Sequence, residues 1–147
     1  MRIRLAGHPI HPMVVHFPIA LWTVGVAADA GGWIWRDPIF WTLSFYAQAL
    51  GDLAGAAALV TGWLEFTTIL RATPAQDAAV GHMLVMCSAW VAFLLSLALR
   101  TYPPRMPSTV WPSVIAAAGW LTMAVGGWLG GKLVYRFAVG VTRPIEP

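Results

Sequence analysis

Charge is what this sequence has least of. Asp, Glu, Lys and Arg make up 10% of its 147 residues, against about 25% in an ordinary soluble domain, so a water-exposed globule is excluded. Cysteine is almost absent. Cys87 stands alone, which rules out an intramolecular disulfide, a four-cysteine zinc site and a cysteine-held iron–sulfur cluster within the chain. The net charge of +3 comes from nine scattered Lys and Arg; with no basic run to track a phosphate backbone, nucleic acid is not a partner. There is also no Gly-x-Ser-x-Gly, no His-Glu-x-x-His and no phosphate-cradling glycine loop. The expectation is a protein without substrate turnover of its own.

What is present is apolar length. Hydrophobic residues make up 59% of the chain and mean hydropathy is +0.69, concentrated in four long runs at about 13–31, 38–64, 78–99 and 109–131. Lipid offers no partners to backbone N–H and C=O groups, so each run must be helical. The predicted architecture is all-α: a single transmembrane domain over 1–147, an integral membrane four-helix bundle of up-down-up-down topology. The first run also has features of a secretory signal, since Arg2 and Arg4 precede it and Ala28-Asp29-Ala30 is a small-x-small pattern; it is read here as a retained helix.

Orientation follows from the basic residues. Arg2, Arg4, Arg71, Lys132, Arg136 and Arg143 fall on the side of both termini, and Arg36, Arg100 and Arg105 on the other. That imbalance predicts both termini in the cytoplasm of a bacterium, with the chain in the inner membrane. Trp33, Trp35, Trp41, Tyr102 and Trp111 would form the outer aromatic belt, and Trp63, Trp128 and Tyr135 the inner one.

All four histidines lie on the predicted cytoplasmic side. His8 and His11 sit in Gly7-His8-Pro9-Ile10-His11-Pro12, whereas His16 and His82 each lie about one turn into the first and third runs. Those two runs point the same way and are diagonal across a four-helix core, so the two imidazoles reach one level from opposite sides. Two imidazoles so placed suit the iron of a b-type haem. Met86 and Phe93 would wall such a ring, and the glycine spacing of the fourth run (Gly126 with Gly130, Gly127 with Gly131) would let it approach. Gly51 and Gly55 in the second run, like the fourth-run glycines, also fit plain helix packing. The Pro-rich segment holding His8 and His11 reads as a structural turn; a metal site of His8, His11 and His16 is the alternative.

Asp52 is the most costly residue for a membrane to accept, and so marks either a functional site or a protonated tie between helices. Gln48, one turn away, is expected to hydrogen-bond it. Asp29 is expected at the interface. Glu65 could orient a ligand imidazole.

Gly7-His8-Pro9-Ile10-His11-Pro12, Val15-His16-Phe17-Pro18, the run from Gly126 to Arg136 and Val139-Gly140-Val141 resemble a bacterial membrane family known as domain of unknown function 2231. Thr61-Gly62, Glu65 and Gly81-His82 occupy matching places. The resemblance spans nearly the whole chain and implies a four-helix membrane protein, similar in arrangement to small b-type cytochromes and sometimes joined to redox modules. Two departures stand out: Phe137-Ala138 replaces the family's usual His-Gly, and Glu65 its usual aspartate. Three functions remain open on these grounds. They are an electron-transfer protein holding haem b between His16 and His82 with Met86 and Gly127 beside it, a cofactor-free accessory subunit of a larger membrane complex, and a proton or ion pathway built on Asp52, Gln48 and the histidines.

Overall fold

A computed structural model describes residues 4–5, 8–107 and 109–141. A two-residue antiparallel pairing of β1 (Arg4–Leu5) with β2 (His8–Pro9) precedes five helices: α1 (Ile10–Val14), α2 (His16–Trp35), α3 (Pro38–Phe66), α4 (Pro74–Ala98) and α5 (Trp111–Phe137). With α1 and α2 taken as one span broken at Val15, four helical segments are long and apolar enough to cross a membrane. The helix starts carry their own signals. Pro38 opens α3 behind Asp37, whose side chain accepts from the Ile39 amide, and Pro74 opens α4 behind Thr73, which accepts from the Gln76 amide.

The spans run further than their hydropathy suggests. Gly31 and Gly32 do not end α2, because they are the surface on which Phe40 and Trp41 of α3 lie. The turn there waits until Arg36, in the left-handed region at φ 57°. Likewise α5 continues past Gly131 to Phe137 and is capped by Ala138 at φ 51°.

Side-chain contacts fix the packing. Along α2 and α3, Gly32 meets Trp41, Gly25 meets Gln48 and Trp22 meets Gly51, so the two helices run antiparallel. Along α4 and α5, Phe93 meets Gly119, Met86 meets Gly126 and His82 meets Gly130. These hairpins repeat one another. Asp29 and Arg100, 71 residues apart, form a salt bridge; the same offset joins Trp22 to Phe93, whose rings stack at 4.5 Å and 5°, and His11 to His82. A second constant offset joins Gly51 to Gly119, Ala58 to Gly126 and Gly62 to Gly130. Equivalent residues touch each other only on a symmetry axis. The bundle therefore has an approximate two-fold relation between hairpins, with Trp22–Phe93 and Asp29–Arg100 on its axis.

The two ends differ in chemistry. At the end near the α2–α3 turn, Asp29, Ser44, Gln48 and Ser96 are buried. Arg100 grips both oxygens of Asp29 at 2.8 and 2.5 Å, Ser44 donates to Asp29, Gln48 to Ser44, and Ser96 to Gln48 and the Pro112 carbonyl. Asp29 is thus an internal residue and not an interfacial one, because Arg100 neutralises it across the axis. Gln48 faces this network and makes no bond to Asp52. Of the expected outer belt, Trp41 is buried against Gly32 while Trp35, Tyr102 and Trp111 are exposed. Breaking a buried pair leaves one uncompensated charge, at a cost of about 3–5 kcal/mol. Arg100→Ala or Asp29→Ala should therefore lower the thermal midpoint in detergent steeply, and Asp29→Ala/Arg100→Ala together should cost less than the two single losses added.

Candidate functional site

The opposite end of the bundle encloses a cavity of about 430 Å³, lined from all four spans, from Pro9 and from the segment after α5. That volume falls within the 300–1,000 Å³ typical of small-molecule sites. Its walls are almost wholly apolar. Trp22, Trp90, Met86 and Met123 lie deepest, towards the core cluster, and Glu65, Ile69 and Val139–Val141 are the lining residues from the loop-bearing end.

Two imidazoles face into it, His11 and His82. Nδ1 of His11 lies 3.0 Å from the Ala58 carbonyl, and Nδ1 of His82 lies 2.9 Å from the Gly126 carbonyl. A carbonyl only accepts, so each Nδ1 carries the proton and each Nε2 presents a bare lone pair. Neither Nε2 has a hydrogen-bond partner among the described residues.

Glycine explains how the rings reach those carbonyls. A Cβ on Gly62 would stand 2.9 Å from Cε1 of His11, and one on Gly130 would stand 3.2 Å from Cε1 of His82. Each glycine lies one helical turn beyond the accepting carbonyl, so any larger residue would cover that oxygen and push the ring away. The two histidines are equivalent under the two-fold relation, as are their carbonyls and their glycines. Nδ1–H held by a main-chain carbonyl, with Nε2 left bare, is how metal-ligating histidines are oriented.

The expected pairing of His16 with His82 is corrected here. His16 is exposed and does not line the cavity, because it follows His11 by five residues, a rotation of roughly 140° around a helix. His11 takes its place. His82, Met86 and Gly127 do line the cavity, and a Cβ on Gly127 would meet nothing within 4 Å. Phe93 does not line it; it lies behind Trp22, fully buried. Glu65 lines the cavity, but the imidazoles are oriented by main-chain carbonyls and not by a carboxylate. The side chain of His8 lies outside the described residues, and among those residues no group of three or more His, Cys, Asp or Glu could hold a metal ion. A His8, His11 and His16 site is further disfavoured by the separation of His11 from His16.

Asp52 sits behind the cavity floor. Trp22 donates its indole N–H to Oδ1 at 3.0 Å, and Trp90 donates to the Asp52 main-chain carbonyl at 3.0 Å. Oδ2 is buried with no hydrogen-bond partner among the described residues. Residue 52 thus ties both floor indoles in place. Its carboxyl is set back from the cavity surface.

Four membrane-length helices around an apolar, histidine-bearing cavity define the class as a small polytopic membrane protein. The chain belongs to the family described as "Predicted membrane protein (DUF2231)", whose family model matches residues 7–143. No curated protein and no solved structure matches it.

The hydrogen-bond geometry sets the tautomers, and these are measurable. In ¹⁵N-histidine spectra of the protein in nanodiscs near neutral pH, His11 and His82 should each show a protonated Nδ1 and an unprotonated Nε2. Gly62→Val should perturb the His11 signal and Gly130→Val that of His82, whereas Gly131→Val, which meets only the edge of Tyr135 at 3.9 Å, should perturb neither.

Proposed function

We propose that this protein is a small membrane haem protein for electron transfer, in which His11 and His82 would hold a b-type haem between the hairpins. The observation that carries the reading is the pair of bare Nε2 atoms, one from each hairpin, presented to a single apolar cavity and oriented from behind by main-chain carbonyls. The donor set fits the group. Two imidazoles with hydrogen-bonded Nδ1–H groups are strong neutral ligands, and thioether and indole walls from Met86, Met123, Trp22 and Trp90 suit a flat apolar ring.

Haem bound in this way supplies reversible one-electron transfer, with its potential set by axial ligands, burial and nearby hydrogen bonds. The chain's own residues hold the ring and keep water from it. His11 and His82 fix its position, Gly62 and Gly130 let the imidazoles stand at the right depth, and the Trp22–Phe93 stack closes the floor. In this reading the chain is a multi-pass protein of the bacterial inner membrane, its cavity end towards the cytoplasm, exchanging electrons with other membrane redox subunits. The excess of Lys and Arg at that end supports the orientation.

The visible spectrum of protein purified from haem-supplied cells tests this. Reduced-minus-oxidised bands of a b-type haem are expected in the wild type. His11→Ala and His82→Ala should each abolish them, while His16→Ala should retain them in full. A folded protein that stays colourless after haem reconstitution, or bands that survive both His11→Ala and His82→Ala, would overturn the proposal.

A further inference from the structure

The two hairpins meet along two seams, α3 with α4 and α2 with α5, and the approximate two-fold relation makes those seams equivalent. Indole bonds pin both, one on the first seam and two on the second, where Trp33 of α2 also donates to Ser113 of α5. Trp90 of α4 donates to the Asp52 carbonyl of α3, and Trp120 of α5 donates to Thr23 of α2, both at 3.0 Å. Beyond these bonds, on the cavity side, the seams part company. Trp90, Leu59 and Phe66 on the first are matched on the second by Ile19, Gly127 and Val134. At these three places the second seam has the smaller residue, whereas Gly55 on the first is matched by the bulkier Met123 on the second.

The consequence shows in exposure. All six residues line the cavity, yet Trp90, Leu59 and Phe66 are not exposed, whereas Ile19, Gly127 and Val134 are. A residue that both lines a cavity and faces outward marks a breach in the wall. Gly127 lies two helical turns from Trp120, on the face of α5 that meets α2, and roughly 15 Å from the end of its helix. In a hydrocarbon layer about 30 Å thick, that depth is inside the lipid and away from water.

We infer that the cavity is reached sideways from the bilayer, through a window in the α2–α5 seam at Gly127, and that its ligand is a largely apolar molecule dissolved in the membrane. A ligand arriving from water would meet the end of the bundle, where Pro9, Glu65 and the segment after α5 line the cavity. One arriving through lipid meets a gap with no side chain at its centre. The inference holds for whatever the two imidazoles bind. It does not depend on the ligand being haem.

Photolabelling of the full chain in phosphatidylcholine vesicles tests it, using an uncharged aryl-diazirine that partitions into the bilayer and mass-spectrometric mapping of the adducts. In the wild type, Trp22 and Met123 should be labelled although they are 2% and 6% exposed, at a level approaching that of lipid-facing Leu121. Phe93, which is fully buried and does not line this cavity, gives the background. Gly127→Leu should drop Trp22 and Met123 to that background and leave Leu121 unchanged. Ile19→Trp, which restores the bulk of the closed seam, should do the same and serves if Gly127→Leu does not fold. Background labelling of Trp22 and Met123 in the wild type would overturn the inference. So would wild-type labelling in a folded window variant, or cavity labelling obtained only with a charged, water-soluble diazirine. Because the probe is not haem, failure here leaves the spectral test untouched, and a colourless protein leaves this one intact.

Discussion

In a membrane a polar group without a partner inside the protein is costly, and the structure depends on how two imidazoles meet that demand. A helical carbonyl already accepts from the amide one turn ahead, yet it retains a second lone pair. A side chain on the residue one turn ahead would crowd an imidazole that approaches that lone pair at these two places. Gly62 and Gly130 supply this opening over the carbonyls of Ala58 and Gly126. Once Nδ1–H is satisfied there, each ring has one direction left for its other nitrogen. The cavity's chemistry follows from that constraint: apolar walls with two bare nitrogens.

The same economy governs the far end. Asp29 and Arg100 would each be costly alone in lipid, but placed on the axis they neutralise each other, and Ser44 and Ser96 take up further lone pairs and donors. Between this polar end and the cavity lies the Trp22–Phe93 stack, with Ala89 and Ala116 packed around it. That plug is close-packed. Among the described residues no hydrogen-bonded side-chain network crosses it.

Much of this was legible in the sequence, and the failures have a common cause. Four spans follow from hydropathy because lipid imposes helix on any apolar run of that length. His82, Met86 and Gly127 could be placed on the cavity because they share a helix face or a glycine spacing. His11 escapes such a reading because hydropathy starts the first run at 13 and not at 10, which puts His11 in a turn and gives His16 the matching depth. Depth is a function of residue number alone; the side a ring faces is a function of phase, and five residues turn a helix by roughly 140°. A repeat comparison holds the missing signal. His11 and Trp22 stand apart by the same interval as His82 and Phe93, and Gly51 and Gly62 by the same interval as Gly119 and Gly130. Asp29 and Arg100 fall in the same register, so their pairing across the axis could have been read from it. Trp41 could not: only the contact with Gly32 shows why an indole near a helix end is buried and not interfacial.

Asp52 shows how symmetry and function pull apart. The two-fold relation pairs Trp90 with Ile19, so the floor of the cavity has an indole on one seam and an aliphatic side chain on the other. Trp90 needs an acceptor in a place where its counterpart needs none, and the main-chain carbonyl of residue 52 provides it. Trp22, on the axis, takes the side chain of the same residue. A single position in α3 therefore anchors both indoles, and the second carboxyl oxygen is left buried with no partner among the described residues. An ionised carboxylate with one idle oxygen is strongly disfavoured in lipid, whereas a neutral acid has less to lose. The bulk that closes one seam, and leaves the other open, is thus held in place by the residue that the membrane should tolerate least.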